Sequence, residues 1–136
     1  MVRLPESHLD LLERPVFAHL ATVRPDCTPL VNPMWFLWDG GEGVIKLTHT
    51  KRRHNYGYIQ QQPRVALSIA DPDDQYRYLQ VQGVVDRIED DPEGSFYQLL
   101  QQRYRGYVTE VKDRDVRVIL IVRPTTFKAR DPSALH

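Results

Sequence analysis

The sequence has only one cysteine, Cys27, so it cannot form an internal disulfide bond. A lone cysteine is typical of a reducing compartment, and we expect a cytoplasmic location. The sequence also lacks an apolar run of the roughly 18 residues that a membrane span needs. Pro5, Glu6 and Asp10 stand where a signal peptide would need an apolar segment. We therefore expect no secretion signal and no membrane partner.

Net charge is the second feature that the sequence lacks. Lys plus Arg and Asp plus Glu number 18 each, so no global positive field attracts nucleic acid. The dense basic cluster is confined to one short segment, Lys51-Arg52-Arg53. A nucleic-acid partner is therefore not expected.

Familiar catalytic motifs are absent as well. The sequence contains no G-x-S-x-G, no Walker loop and no G-x-G-x-x-G. Five histidines are present, but no pair has zinc-ligand spacing supported by cysteines, so no metal site is expected. No catalytic residue can be assigned from the sequence. If the protein is an enzyme, a cofactor supplies the chemistry and the protein positions it.

Alternating apolar and polar residues, separated by turn-forming residues, predict six or seven strands. The predicted strands are 16–23, 30–38, 43–48, 64–70, 76–85 and 116–122, with a continuation over 125–128 after a bend at Pro124. Three helices are predicted, at 5–13, at 55–62 and from Asp90 or Asp91 to Gly106.

Closely spaced antiparallel strands with helical inserts favour a small barrel, so the fold class is mainly β (α+β). We predict a single domain over 1–136, with its core at about 16–128 and a frayed C-terminal tail at 129–136. Gly83 lies inside the fifth predicted strand, which indicates a bulge or a close approach of another backbone.

The stretch from Val44 to Gln62 is a candidate anion site. Its first part alternates as a strand, and its second part is predicted as a helix that ends before Pro63. Between them stand hydroxyl groups and three cations, where unpaired helix amides carry partial positive charge. The pattern predicts a site for a cofactor phosphate, and the alternative is a solvated basic turn. The candidate ligands are Thr48, Thr50, Lys51, Arg52 and Arg53.

The second predicted strand carries large flat and soft side chains behind an Asn-Pro pair. Such a strand can form a wall against a planar ring system, and the alternative is ordinary core. Pro33 removes one backbone donor, which predicts an edge strand or a bulge. The candidate ring-binding residues are Asn32, Pro33, Met34 and Trp35.

Several segments together resemble a known superfamily, the pyridoxamine 5'-phosphate oxidase-like split β-barrel flavin and deazaflavin proteins. The segments that resemble its opening are Leu20-Ala-Thr-Val-Arg-Pro-Asp26, Pro29-Leu-Val-Asn-Pro-Met-Trp-Phe36 and Trp38-Asp-Gly40. Pro63-Arg-Val-Ala-Leu-Ser68, Asp71-Pro-Asp73 and Tyr76-Arg-Tyr-Leu-Gln-Val-Gln-Gly83 are similar to one branch. This branch is the flavin/deazaflavin oxidoreductases of type B, common in actinobacteria, many of which use coenzyme F420.

The resemblance implies a six- to seven-stranded antiparallel split β-barrel of the FMN-binding type. It also implies a homodimer with two equivalent cofactor sites at the subunit interface. The implied activity is hydride transfer between reduced F420 and a small organic substrate with an activated double bond. The alternatives are an FMN-binding oxidase or reductase of the same superfamily, and a non-enzymatic protein that binds flavin or deazaflavin.

The resemblance also assigns site residues, which agree with those chosen on physical grounds. The phosphate is expected at Thr48, Thr50, Lys51, Arg52 and Arg53, and the ring along Asn32, Pro33, Met34 and Trp35. Tyr76, Arg77 or Tyr78 of the partner subunit is expected to close the site.

Three positions depart from the pattern of the family. Cys27 stands where relatives commonly have a turn glycine, which predicts either a changed turn or mild backbone strain. Asn55 stands where relatives often have a phosphate-binding lysine and is counted among the expected cofactor-binding residues, and Tyr58 stands where they often have asparagine. The choice between F420, FMN and no tight cofactor is therefore open at the level of sequence.

Overall fold

A computed structural model describes residues 2–132 of the protein. These residues form seven strands and three α-helices, with two short 3-10 helices at Glu6–His8 and Arg114–Val116. The strands are β1 (Ala18–Val23), β2 (Pro29–Met34), β3 (Phe36–Asp39), β4 (Val44–Thr50), β5 (Arg64–Asp71), β6 (Asp74–Asp90) and β7 (Arg117–Arg130). The helices are α1 (Leu9–Glu13), α2 (His54–Gln61) and α3 (Ser95–Arg105).

All seven strands belong to one antiparallel sheet in the order β2-β1-β5-β6-β7-β4-β3. The sheet curls into a half-barrel, so side chains from strands that are distant in the sheet meet in one buried cluster. Leu20 of β1, Leu47 of β4 and Leu120 of β7 belong to this cluster, and Ile59 of α2 packs against them. The predicted mainly β (α+β) class, with six to seven antiparallel strands and short helices, is confirmed.

The single strand predicted over 30–38 is wrong, because the chain breaks at Trp35. β2 pairs with β1 at one edge of the sheet, whereas β3 pairs with β4 at the opposite edge. One straight strand cannot pair at both edges, so the chain leaves one edge and joins the other at this residue. Pro33 lies on the edge strand β2, as its missing backbone donor predicts.

The predicted end of the last strand is also wrong. β7 continues through Pro124 to Arg130, so Ala129 and Arg130 pair with β6 and are not a frayed tail. The proline is tolerated because the β6–β7 register shifts at Gly83, its partner. A side chain at Gly83 would bring a Cβ to 2.8 Å from the Arg123 carbonyl oxygen, so the predicted close approach is confirmed. Residues 133–136 of the predicted tail lie outside the described residues.

Several element boundaries differ from the prediction. The N-terminal segment is a 3-10 turn followed by the five-residue α1, and the fifth strand extends to Asp74–Asp90. Helix α3 begins at Ser95, because Gly94 takes a left-handed conformation with φ of 69°. The Asp91 carboxylate still accepts two backbone N–H groups of the first turn of α3, each at 3.2 Å. The predicted end at Gly106 is confirmed.

The turn between β1 and β2 contains the residue that departs from the family pattern. Cys27 has φ of 70° and is the one non-glycine residue among the described residues with positive φ. A glycine would adopt this conformation without strain, so the predicted strain at this position is confirmed. Within residues 2–132, no helix is long and apolar enough to cross a membrane.

Candidate functional site

A pocket of about 200 Å³ opens where β2, β4, β7 and α3 approach one another. Three of its lining side chains are arginines, and none is a carboxylate. We call it the arginine pocket. Its lining residues are Phe17, Pro33, Met34, Trp35, Thr48, Arg53, Tyr97, Arg105 and Arg117.

The alternation of β4 brings Thr48 to the pocket. Successive side chains of a strand point to opposite faces, and Ile45 and Leu47 point into the core. Thr48 therefore faces the other way, and its residual surface lies in the pocket. After β4 the chain turns, and Arg53 precedes α2 in extended conformation. Its Nη1 atom lies 3.7 Å from the Met34 sulfur, which brings the guanidinium over β2.

Arg117 connects the polar end of the arginine pocket with its aromatic end. Its Nη1 atom donates a hydrogen bond to the Thr48 hydroxyl oxygen at 3.4 Å, and its Nε atom pairs with Asp113 at 3.0 Å. The guanidinium carbon lies 3.8 Å from the centroid of the Tyr97 ring. A cation held over a ring face is attracted by the ring quadrupole, so Arg117 is fixed from two sides.

Stacked aromatic rings form the wall of the pocket. Trp35 stacks on Tyr104, with ring centroids 5.0 Å apart and planes at 10°, and on Tyr97 at 6.2 Å and 22°. The Tyr104 hydroxyl donates to the Val16 carbonyl oxygen at 2.7 Å and accepts from the Phe36 N–H at 3.1 Å. Burial raises the pKa of Tyr104, and its hydrogen bond with Phe36 opposes this. The wall is therefore tied to the backbone just before β1 and at the start of β3.

The break in the strand at Trp35 explains why the Trp35 ring faces the pocket and not the core. Met34 and Phe36, its neighbours, are buried in the core. Trp35 is half-buried and carries the guanidinium of Arg105 at 4.8 Å from its ring centroid. The two interpretations of the aromatic stretch thus divide among its residues, with core at 36, a pocket wall at 35 and both roles at 34.

His49 lies behind the pocket and points into the barrel. The ring is fully buried, and burial together with the nearby charges of Arg53 and Arg117 lowers its pKa to about 4. The Asn55 side chain opposes the shift without reaching hydrogen-bond geometry, so both ring nitrogens lack a partner. His49 is therefore neutral at physiological pH and adds no charge to the arginine pocket.

The arginine pocket brings together five of the residues predicted to bind the cofactor. These residues are Pro33, Met34, Trp35, Thr48 and Arg53. Among the predicted cations, the exposed Arg52 lies outside the lining, and Lys51 forms an ion pair with Asp90 at 3.2 Å. All three cations of the turn are exposed, but Arg53 alone among them lines the arginine pocket.

The other predicted site residues lie apart from the lining. Thr50 and Asn55 are buried next to the pocket, and Asn32 faces Leu20 of β1 in the β1–β2 register. Tyr78 lies on β6 in a separate groove, so one chain does not bring it to the arginine pocket. Its predicted role belongs to the partner subunit.

Sequence reasoning missed four lining residues, Phe17, Tyr97, Arg105 and Arg117. The last three come from elements far along the chain from β2 and β4. The sequence predicted the helix that becomes α3, but its residues Tyr97 and Arg105 were not assigned to a site. The available signal was helical spacing, since Tyr97, Gln101 and Tyr104 follow one another at steps of four and three.

No cluster of three or more His, Cys, Asp or Glu side chains in residues 2–132 is placed to hold a metal ion. The chemistry of the pocket is instead that of an anion site beside a flat apolar wall. Arg53, Arg117 and Thr48 are donors, and Trp35 and Tyr97 offer ring surfaces.

A curled sheet of seven antiparallel strands with such a pocket defines a split β-barrel of the FMN-binding type. The family model described as pyridoxamine 5'-phosphate oxidase matches residues 4–131, and the chain belongs to this family. The resemblance to this superfamily, and to its F420-using branch, is confirmed.

Solved structures support the same assignment. A structure named F420 reductase is 53% identical, with 92% of this chain and 98% of that chain covered and a TM-score of 0.87. A conserved hypothetical protein from Mycobacterium tuberculosis is 22% identical, with 98% and 88% covered and a TM-score of 0.77. General stress protein 26 from Bacillus anthracis is 22% identical, with 93% of each chain covered and a TM-score of 0.71. The last two show the fold alone. No curated protein matches this chain.

Proposed function

We propose that this protein transfers hydride between reduced coenzyme F420 and a small organic substrate with an activated double bond. That it is an F420-dependent oxidoreductase rests on the 53% identity to the structure named F420 reductase. The observation that carries the proposal is the arginine pocket, which joins phosphate-type donors to stacked aromatic rings.

The polar end of the pocket fits a cofactor phosphate. Arg53 and Arg117 supply guanidinium donors, Thr48 supplies a neutral hydroxyl, and no carboxylate in the lining competes for them. Hydrogen bonds between guanidinium and phosphate are short, strong and often bidentate. Arg117 is already oriented by Asp113 and Tyr97, which reduces the entropy lost on binding.

The aromatic end of the pocket fits a planar ring system. When bound there, reduced F420 supplies the hydride. Pro33, Met34 and Trp35 hold the ring in place and exclude water from its face. The phosphate donors fix the distance of the ring from the β4–α2 turn, so alignment is the main contribution of this chain to the rate.

The proposal includes a homodimer that completes each site. The arginine pocket is smaller than the roughly 300–1,000 Å³ of most cofactor sites, so one chain supplies part of the walls. Phe17, which is half exposed, also lines a groove of about 420 Å³. His19 and Ala21 of β1 continue this groove into two others on the face that carries Tyr78. A second copy on this face would bring its Tyr78 towards the pocket.

Sedimentation at micromolar concentration tests the dimer. We expect a single species of twice the chain mass, because the continuous groove exposes Phe17 and Val31. A stable monomer would refute the composite site.

FMN remains the alternative cofactor, since the matching family model is that of pyridoxamine 5'-phosphate oxidase. The donors of the pocket recognise a phosphate and do not by themselves distinguish between the F420 and FMN ring systems.

We also propose that the protein is cytoplasmic, and the single cysteine supports this location. Recovery of the protein from a membrane or extracellular fraction would contradict that location.

The activity is tested by a single-turnover experiment with stoichiometric reduced F420 and a panel of enones. We expect the absorbance of oxidised F420 to return together with saturation of the acceptor's double bond. Binding of F420 without any such return would mean that the protein carries the cofactor without catalysing the reaction.

A further inference from the structure

One guanidinium of the arginine pocket, that of Arg105, ties no other part of the fold together. Arg105 is exposed and forms no ion pair within residues 2–132, and its guanidinium lies over the face of Trp35. Its neighbour in the same turn of α3, Arg103, donates to the Glu13 and Arg14 carbonyl oxygens at 3.0 and 2.8 Å. Arg103 thus fastens α3 to the N-terminal segment, whereas Arg105 is left free at the pocket.

Arg105 and Arg117 contact different rings of the stacked pair that Trp35 and Tyr97 form. Arg117 lies over Tyr97 and bonds to Thr48, and Arg105 lies over Trp35. The two guanidinium groups therefore flank a flat surface, with the phosphate donors on the side of Arg117. A ligand that occupied both ends would carry two separate anionic groups or would be two molecules.

The charges of the lining residues also indicate that a second anionic group is needed beside Arg105. Of its three arginines, Arg117 is paired with Asp113, and Arg53 and Arg105 have no carboxylate partner within the described part of the chain. A cofactor phosphate between Arg53 and Arg117 neutralises that end. Arg105 then remains as an uncompensated cation beside a ring surface.

We propose that Arg105, held on Trp35, binds a carboxylate of the substrate, so that the substrate class is planar conjugated acids. This inference rests on the proposed function. The flat guanidinium matches a carboxylate with two parallel hydrogen bonds. The stacked rings of Trp35 and Tyr97 favour a flat acceptor, and an acid conjugated with its double bond is flat along its whole length. Arg105 is thereby a specificity-determining residue.

Calorimetric titration with trans-cinnamate and trans-cinnamamide tests the inference without any turnover. The two probes share shape and conjugation and differ in charge. Both titrations are made in a buffer without phosphate, because an inorganic anion at high concentration would compete with cinnamate for Arg105. We expect the wild-type protein to bind cinnamate about tenfold or more tightly than cinnamamide, the range for a charge-assisted hydrogen bond.

Arg105→Gln is expected to remove this preference, and Arg123→Gln serves as the matched control. Arg123 is an exposed arginine paired with Asp86 outside the pocket, so the control is expected to keep the full preference. A preference that persists in Arg105→Gln, or that is absent from the wild type, would overturn the inference.

A parallel titration of Arg105→Gln with F420 separates the inference from the proposed function. We expect F420 to bind the variant with its wild-type affinity, because the phosphate donors are intact. A loss of F420 affinity comparable to the loss for cinnamate would place Arg105 in the cofactor site and overturn the substrate assignment. Absence of F420 binding in the wild type, with the cinnamate preference intact, would refute the proposed function alone.

Discussion

Replacing both Arg53 and Arg117 by glutamine is expected to weaken F420 binding about a thousandfold. Each guanidinium supplies a charge-assisted hydrogen bond, worth about 1.5–3 kcal/mol, and the two together correspond to roughly two to four orders of magnitude. Glutamine keeps a donor and most of the side-chain length, so the loss reports charge and bidentate geometry. Fluorescence titration of each variant with F420 measures the effect.

Arg52→Gln is the matched control for this prediction. Arg52 precedes Arg53 in the same turn and is exposed as Arg53 is, but it lies outside the pocket lining. We expect its replacement to change F420 affinity by less than about threefold, since a charge that does not contact the ligand is screened by solvent. Thermal unfolding of each variant checks that the fold is retained. Equal losses for Arg52 and for the Arg53–Arg117 pair would mean that the whole basic turn, and not the pocket, holds the phosphate.

Replacing His49 by leucine is expected to remove a pH dependence of stability of about 3 kcal/mol. The pKa of the buried ring is about 4, against about 6.5 in the unfolded chain, so the unfolded state binds the proton first as the pH falls. The wild-type free energy of unfolding therefore decreases between about pH 6.5 and pH 4 through this group. At neutral pH both states are uncharged, and leucine is expected to cost little because neither ring nitrogen has a partner.

Urea unfolding between pH 7 and pH 4.5 measures this effect, and His54→Leu provides the control. His54 begins α2 and is exposed, so its replacement is expected to leave the acid slope unchanged. Carboxylates with lowered pKa values, such as Asp10 and Asp71, add to the slope at the acid end in every variant. If His49→Leu unfolds with the wild-type slope over pH 6.5–5, the ring is not neutral in the folded protein.

Local sequence rules located the elements that depend on near neighbours. The alternation of β5, the glycine that ends α3 and the strained turn at Cys27 were all readable from a few residues. The break at Trp35 was not readable, because the pairing of β2 with β1 and of β3 with β4 is settled across the sheet. The passage of β7 through Pro124 depends on Gly83, about 40 residues earlier in the chain.

The candidate site, like the fold, could be predicted from the sequence only where it depends on neighbouring residues. The strand-turn-helix pattern around Thr48 and Arg53 indicated an anion site, but it could not separate Arg53 from its basic neighbours. That distinction requires the position of Met34, on an edge strand earlier in the chain. Tyr97 lies on α3 and Arg117 on β7. The curled sheet brings both residues beside β4, although they are distant from it in the sequence.

The most direct test of the proposed function is a side-by-side titration of the purified protein with F420 and with FMN, followed by fluorescence. We expect tighter binding of F420, in keeping with the arginine pocket and with the likeness to a structure named F420 reductase. Tighter binding of FMN would contradict F420 dependence and would make Asn55, in place of a lysine, the first position to revert. Binding of neither would contradict the assignment of the arginine pocket as a cofactor site.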